Sequence, residues 1–139
     1  GRVLVGGRSP QSAKQDFLYL PQFTQLLSAS IRRNIEVLSG GASFERIQHA
    51  AHETGLAEFI QTLPMGWDTV LAIGGANISG GQRQMILLTA CLASNRKILL
   101  LDEAMANLDW GRRVAIGRSE LMRGKTIVFA SHDGRPLLG

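Results

Sequence analysis

The sequence predicts an α/β fold, a mostly parallel sheet carrying an inserted helical subdomain. Three observations point there. Short apolar runs bounded by Gly, Ser or Pro stand near both ends of the chain, as strands require. The last third alternates strand, helix and strand with short links, the pattern of a parallel sheet. Between the two ends, caps and breakers punctuate a long stretch that reads as helices.

Taken in order, Val3–Val5 and Phe17–Leu20 are the opening strands, and Gly6–Pro10 between them is a turn by composition. After Pro21 the character turns helical. Ser43 caps a helix over Phe44–Thr54, which Gly55 closes, and a shorter helix covers Leu56–Leu63. Pro64-Met65-Gly66 breaks it. A loop with Gly74-Gly75 leads to Gly80-Gly81, and Gln82–Ala93 forms the next helix. Ile98–Leu101 is continuously apolar and ends in Asp102-Glu103, which suits a strand buried on both faces. A helix over Trp110–Met122 and a buried strand over Thr126–Ala130 complete the pattern. One sheet domain results, built from about 1–23 and 96–132, with the helical insert at about 24–95.

Composition narrows the function classes. With 139 residues, 45% hydrophobic and only 19% charged, the chain can bury a core and is no charge-rich disordered tail. No apolar run approaches the ~20 residues of a membrane span. Gly1–Pro10 holds only a short apolar stretch and does not read as a secretion signal. A single cysteine, Cys91, excludes an internal disulfide. Fifteen Lys and Arg against eleven Asp and Glu give a net charge of +4, which favours an anionic partner. The basic residues are scattered, paired at Arg32-Arg33 and Arg112-Arg113 without a run of five, so nucleic acid is not the expected partner. Sixteen glycines, where ordinary usage gives about ten, signal many special backbone positions.

Four places can carry chemistry. Ile78-Ser79-Gly80-Gly81-Gln82-Arg83-Gln84 stands directly before a helix. A helix's first turn offers unpaired N–H groups and a positive dipole end, and two glycines let an anion approach the backbone. The same residues also suit a plain turn with Ser79 as helix cap. Asp102-Glu103 ends a buried strand, where open α/β sheets bind ligands; Asp102 there can hold Mg²⁺ and Glu103 can polarise a water. Two acids simply solvating a strand end is the alternative. His132 lies two residues beyond the last strand and can bond a terminal phosphate, or be an ordinary surface histidine. Gln22 follows the Phe17–Leu20 strand in the same kind of position, able to touch a metal or a water.

In order, Gln22, Ile78–Gln84, Asp102-Glu103, Ala106-Asn107-Leu108-Asp109 and Ser131-His132 resemble the Q-loop, signature, Walker B, D-loop and switch histidine of an ATP-binding cassette. The resemblance runs from about Gly1 to His132. Ser30-Ile31-Arg32-Arg33-Asn34-Ile35 and Leu63-Pro64-Met65-Gly66-Trp67-Asp68-Thr69 are similar to exporter-type cassettes, nearest to peptidase-containing bacteriocin exporters of the colicin V kind. The resemblance implies a P-loop NTPase-like sheet, present as an incomplete domain, and an ATPase that drives export of a peptide or bacteriocin. It implies a head-to-tail homodimer of cassettes with ATP and Mg²⁺ between them, docked on transmembrane domains at the cytoplasmic face of a bacterial inner membrane. Ser79, Gly80, Gly81 and Gln82 are then expected to contact ATP held by the partner cassette. Asp102 and Gln22 are expected at the metal, Glu103 as catalytic base, His132 as γ-phosphate sensor and Asp109 as a link between the two sites.

The departures are as informative. The phosphate loop G-x-x-x-x-G-K-[ST] is missing; Gly124-Lys125-Thr126 mimics its end but precedes a strand instead of following one, and is read as a turn. The loop is expected upstream of Gly1, which makes the isolated chain an expected non-hydrolyser. Ile73 stands where exporters carry an acidic residue, Met105 and Asn107 replace small or hydroxyl residues, and Thr89-Ala90-Cys91 lacks the usual Arg. Two other function classes fit some of this: a soluble cassette ATPase acting on nucleic acid, and a non-catalytic remnant. His49 and His52, three apart, lack a third ligand, and Cys91 is expected in packing. Trp67 and Trp110 are read as core or interface.

Overall fold

In a computed structural model of the chain, residues 17–20, 25–102 and 110–130 are described. The strand expected at Val3–Val5, its following turn, and the positions Gln22, Glu103, Asp109 and His132 lie outside them. Three parallel strands, β1 (Phe17–Leu20), β2 (Ile98–Asp102) and β3 (Thr126–Ala130), pair in the order β1-β2-β3. The register aligns Leu20 with Leu101 and Asp102 with Ala130, so the strands end together at one edge. Between β1 and β2 the chain forms α1 (Ile31–Leu38), α2 (Phe44–Thr54), α3 (Leu56–Gln61) and α4 (Gly80–Ala93), and α5 (Trp110–Gly117) lies between β2 and β3.

The alternating pleat of the sheet decides which face is covered. Leu18 and Leu99 point into the helical layer, and Leu99 is fully buried there with Ile86, Leu88 and Leu92 of α4. The next row, Tyr19, Leu100 and Val128, points the other way, and Tyr19 and Val128 are 58% and 51% exposed. The apolar run in β2 predicts burial on both faces; among the described residues only one face is packed.

Helix α4 is the hub of that layer. Ile86 to Ser94 are all buried, α1, α2 and α3 pack against it, and its thiol-bearing residue Cys91 sits wholly inside. Burial pushes the Cys91 thiol above its ordinary range, which removes the thiolate a nucleophile needs. One polar pair crosses this interior: Thr89 donates to the Met85 carbonyl at 2.7 Å and its oxygen meets the Thr54 hydroxyl at 2.7 Å. At the C-terminal end, Arg46 of α2 donates from Nε to the Ala93 carbonyl at 2.9 Å and Lys125 donates from Nζ to the Leu92 carbonyl at 2.9 Å. Two cations thus satisfy carbonyls that a helix end leaves open, each favoured by the dipole by roughly 0.3–1 kcal/mol.

A second lock holds the chain between β1 and α1. Asn34 is fully buried; its Oδ1 accepts from the Leu27 N–H at 2.6 Å, and its Nδ2 donates to the carbonyls of Leu27, Ala29 and Ser30 at 3.1, 3.3 and 3.0 Å. Every polar atom of one amide is spent on a neighbouring loop, which then bonds onward: Ile31 N–H to Thr69 O and Leu71 N–H to Ala29 O, both 2.9 Å. The motif residues around Ser30 and those around Thr69 are therefore one physical unit.

The helix boundaries differ from expectation in three places, each with a local cause. α4 starts at Gly80, two residues before the expected Gln82, because both glycines take helical dihedrals beneath the Ser79 cap. α3 stops at Gln61, where the Thr62 hydroxyl turns back to the Phe59 carbonyl at 2.6 Å. The helix expected to run from Trp110 to Met122 ends at Gly117; Ser119, its Oγ accepting from Leu121 N–H at 3.2 Å, starts a separate 3-10 turn over Glu120–Met122. Gly124 has φ 77° and reverses the chain before β3, so Gly124-Lys125-Thr126 is the turn expected.

Packing on only one face makes a testable contrast. Leu99→Ala should lower stability in urea denaturation by roughly 2–5 kcal/mol, whereas Val128→Thr should stay within about 0.5 kcal/mol. Lys125 adds a pH dependence. Burial first, then the nearby Arg46 charge, lower its pKa to about 8 from an ordinary value of 10.5. Between those values the unfolded chain binds more protons than the folded one, so stability should rise with pH from about 8 towards 10 and fall back as pH drops. Denaturation midpoints across that range should show this rise, and Lys125→Met should flatten it.

Candidate active site at the carboxyl edge and the α4 N-terminus

The sequence of the α4 entrance dictates its geometry. Ser79 has extended dihedrals and caps the helix; its Oγ accepts from the Gln82 N–H at 3.1 Å, and Gln82 Oε1 accepts from the Ser79 N–H at 2.9 Å. This reciprocal capping box closes two of the four N–H groups that a helix start leaves open. The other two belong to Gly80 and Gly81, and among the described residues no acceptor meets them. Ser79 also keeps its hydroxyl proton to donate, because its cap role uses only a lone pair.

Among the described residues nothing asks for glycine at those two positions. Both have negative, helical φ, and a Cβ built at Gly80 meets nothing within 4 Å, while at Gly81 it meets only Ser79 Oγ at 4.0 Å. Gly75, five residues earlier, is the contrast: φ is 75°, and a Cβ there would lie 3.2 Å from Leu26 Cδ1. Glycine inside a helix costs roughly 0.5–1 kcal/mol against alanine. The two glycines carry that cost with no internal return, and the exposed N–H pair above them is what their missing side chains uncover.

The second half of the site lies where the strands end. β2 delivers Asp102 in register with Ala130, the last residue of β3, while β1 ends alongside at Leu20. Gln22, Glu103 and His132 follow these three strand ends in sequence by one or two residues and lie outside the described residues, as does Asp109. The topology therefore brings to one edge the chain segments that lead into them. The loop before α4 is anchored separately: Asn77 Oδ1 accepts from Ala72 N–H at 2.8 Å, and its Nδ2 donates to Val70 O at 3.3 Å. That loop exposes apolar side chains, with Ile73 83% exposed and Val70 and Met65 beside it in the same loop. Among the described residues no three His, Cys, Asp or Glu side chains cluster as a metal site, and His49 turns to Glu53 on its own helix at 3.8 Å. No helix among them is long and apolar enough to cross a membrane.

Residues 1–106 match the family model described as ABC transporter. The chain belongs to the ABC transporter family. Its fold is the incomplete P-loop-type sheet of that family: the match to a bacterial Atm1-family ABC exporter solved with ATP bound has a TM-score of 0.81 at 31% identity, covering 96% of this chain and 25% of that one. Among curated relatives it is 37% identical to the toxin RTX-I translocation ATP-binding protein of Actinobacillus pleuropneumoniae and 34% identical to the alpha-hemolysin translocation ATP-binding protein of Escherichia coli. Each alignment covers 95% of this chain and 20% of the relative, so the chain spans about one fifth of their length. These cassettes are named for toxins, where the motifs in the sequence resemble bacteriocin exporters. The family match spans Ser79–Gln82 and Asp102, the described residues expected in the signature and at the end of Walker B. Sequence reading missed Asn34, whose amide bonds the loop just before it, and Arg46, whose role appears only once the Ala93 and Ser94 carbonyls are placed beside it.

Because glycine is not required internally, Gly81→Ala should leave the chain equally stable or more stable by up to about 1 kcal/mol in urea denaturation. A loss of more than that would mean the fold itself needs this glycine.

Proposed function

We propose that this chain is the ATP-engaging portion of an ABC exporter, an ATPase in the full-length protein that drives export of a peptide or protein toxin. One observation carries the reading: two N–H groups that no described residue accepts, on two glycines whose missing side chains would meet almost nothing among the described residues, at the positive end of α4. An anion of phosphate size satisfies both, and a side chain at either position would stand in its way. The ATP that meets Ser79–Gln82 is held by a second cassette in head-to-tail arrangement, as the family resemblance implies. Ser79 donates its free hydroxyl proton to a phosphate oxygen, and Gln82 holds the cap rigid by its bond to Ser79 N–H.

At the carboxyl edge, the donor types fit a magnesium ion: Asp102 offers a carboxylate and Gln22 an amide oxygen, the hard ligands Mg²⁺ takes alongside phosphate. When bound, the ion neutralises charge on the β- and γ-phosphates. Glu103 accepts a proton from the attacking water as the bond to the γ-phosphorus forms and the bond to the β–γ bridging oxygen breaks, with ADP leaving. His132 donates a hydrogen bond to the γ-phosphate, and Asp109 couples the two sites across the cassette interface. The exposed apolar loop at Val70 and Ile73, tied through Ala29–Leu71 to the segment before α1, is the surface proposed to dock on transmembrane domains at the cytoplasmic face of the bacterial inner membrane. The exporter-like segments Ser30–Ile35 and Leu63–Thr69 favour export over a nucleic-acid role.

In the full-length transporter, Glu103→Gln should keep ATP binding and lower hydrolysis by roughly 10²–10⁴-fold. Hydrolysis at the unaltered rate would remove Glu103 from its role. Gly81→Ala in the same protein should raise KM for ATP or lower kcat tenfold or more without lowering stability; unchanged kinetics would mean no phosphate approaches the α4 N-terminus.

A further inference from the structure

The opposite, amino edge of the sheet holds a second concentration of charge that the ATP site does not use. An open cavity of about 450 Å³ lies there, lined by Arg46, Arg96, Lys97, Glu120, Arg123 and Lys125 among others. Five cationic side chains face one carboxylate. Positions far apart in sequence are thus brought together by the fold. Arg46 comes from α2, Arg96 and Lys97 from the entry to β2, and Arg123 and Lys125 from the Gly124 turn before β3.

Among the described residues Glu120 pairs with none of the five, and Lys97 and Arg123 are exposed with no acid partner. Arg46 and Lys125 are fixed by the carbonyls at the end of α4, which sets two positive charges at the cavity wall without neutralising either. The consequence is visible at Lys125, whose ammonium is held to a pKa of about 8 by burial and by Arg46. Like charges so placed repel one another, and a multivalent anion is the partner that reverses the repulsion. Arg guanidiniums and Lys ammoniums with donors to spare are the groups that take phosphate oxygens. Leu121 is the one apolar side chain among the described lining residues, and the His49 imidazole is the one ring beside five cations, so the lining is weighted to charge.

We infer that the amino-edge cavity is a binding site for an oligophosphate anion, read by charge and not by base, and separate from the ATP edge. Free pyrophosphate and the phosphate tail of a nucleotide share this chemistry.

The chain has only three lysines, Lys14, Lys97 and Lys125, so lysine ¹³Cε NMR of the whole chain resolves the site. Titration with pyrophosphate should shift Lys97 and Lys125 and raise the Lys125 pKa by one unit or more. AMP, with one phosphate, should bind at least tenfold more weakly. ATP binding as tightly as pyrophosphate assigns the nucleotide tail as the source, and weaker ATP binding assigns free oligophosphate. The double variant Lys97→Glu with Arg123→Glu changes exposed side chains only and should weaken pyrophosphate binding tenfold or more, with circular dichroism unchanged. The inference is overturned if sodium chloride at matched ionic strength reproduces the shifts, if AMP binds as well as pyrophosphate, or if the double variant binds as the parent does.

Discussion

The structure depends on how the two ends of one helix are satisfied. α4 runs through the middle of the packed layer with every residue from Ile86 to Ala93 buried, so its end groups have to be dealt with locally or by neighbours. At its C-terminus the chain supplies its own cations, Arg46 from α2 and Lys125 from the turn before β3. These bonds tie the insert and the sheet together through backbone carbonyls. At its N-terminus the capping box of Ser79 and Gln82 stops halfway, leaving the N–H groups of Gly80 and Gly81 to whatever arrives from outside. A helix closed by its own chain at one end and left open at the other is the feature on which the proposed anion site rests.

The sheet has a matching asymmetry. Its carboxyl edge gathers the chain segments leading into Gln22, Glu103 and His132 and ends β2 on Asp102, all residue types that handle phosphate and metal. Its amino edge gathers cations instead, under the closed end of α4. Its faces differ as well: Leu18 and Leu99 pack on the helices, while Tyr19 and Val128 remain exposed on the far side. The Asn34 lock explains why the stretch after the Q-loop position and the stretch before the signature are both informative. One buried amide bonds the loop that pairs with Thr69–Leu71, so movement in either loop is felt by the other and by the approach to α4.

Much of this was legible in the sequence because it rests on local chemistry. Ser43 and Gly55 bracket α2 as a cap and a left-handed closure should, with φ 88° at Gly55. The apolar runs at Ile98–Leu101 and Thr126–Ala130 are parallel strands. The start of α4 was less legible because Gly-Gly reads as a breaker, although glycines at a helix's first turn are held by the cap before them. The end of α5 was illegible for the opposite reason: Ser119 restarts a turn just where the apolar spacing continues. Long-range features left no local trace. The five cations of the amino-edge cavity span positions 46 to 125 in sequence, and Arg46 reaches carbonyls 47 and 48 residues away. The geometry of Ser79–Gln82 is described by the structure, while the Glu103, Asp109, His132 and Gln22 assignments rest on their order in the sequence.

The central claim is that the open N-terminus of α4 meets the phosphates of ATP held by another cassette. Photo-crosslinking tests it most directly, using the assembled full-length transporter and ATP with a photoreactive group on its γ-phosphate, followed by peptide mapping. The account predicts label on the peptide containing Ser79–Gln82, dependent on a second cassette that can bind ATP. Label confined to other peptides, or label at Ser79–Gln82 that persists when the partner cassette cannot bind ATP, would contradict it.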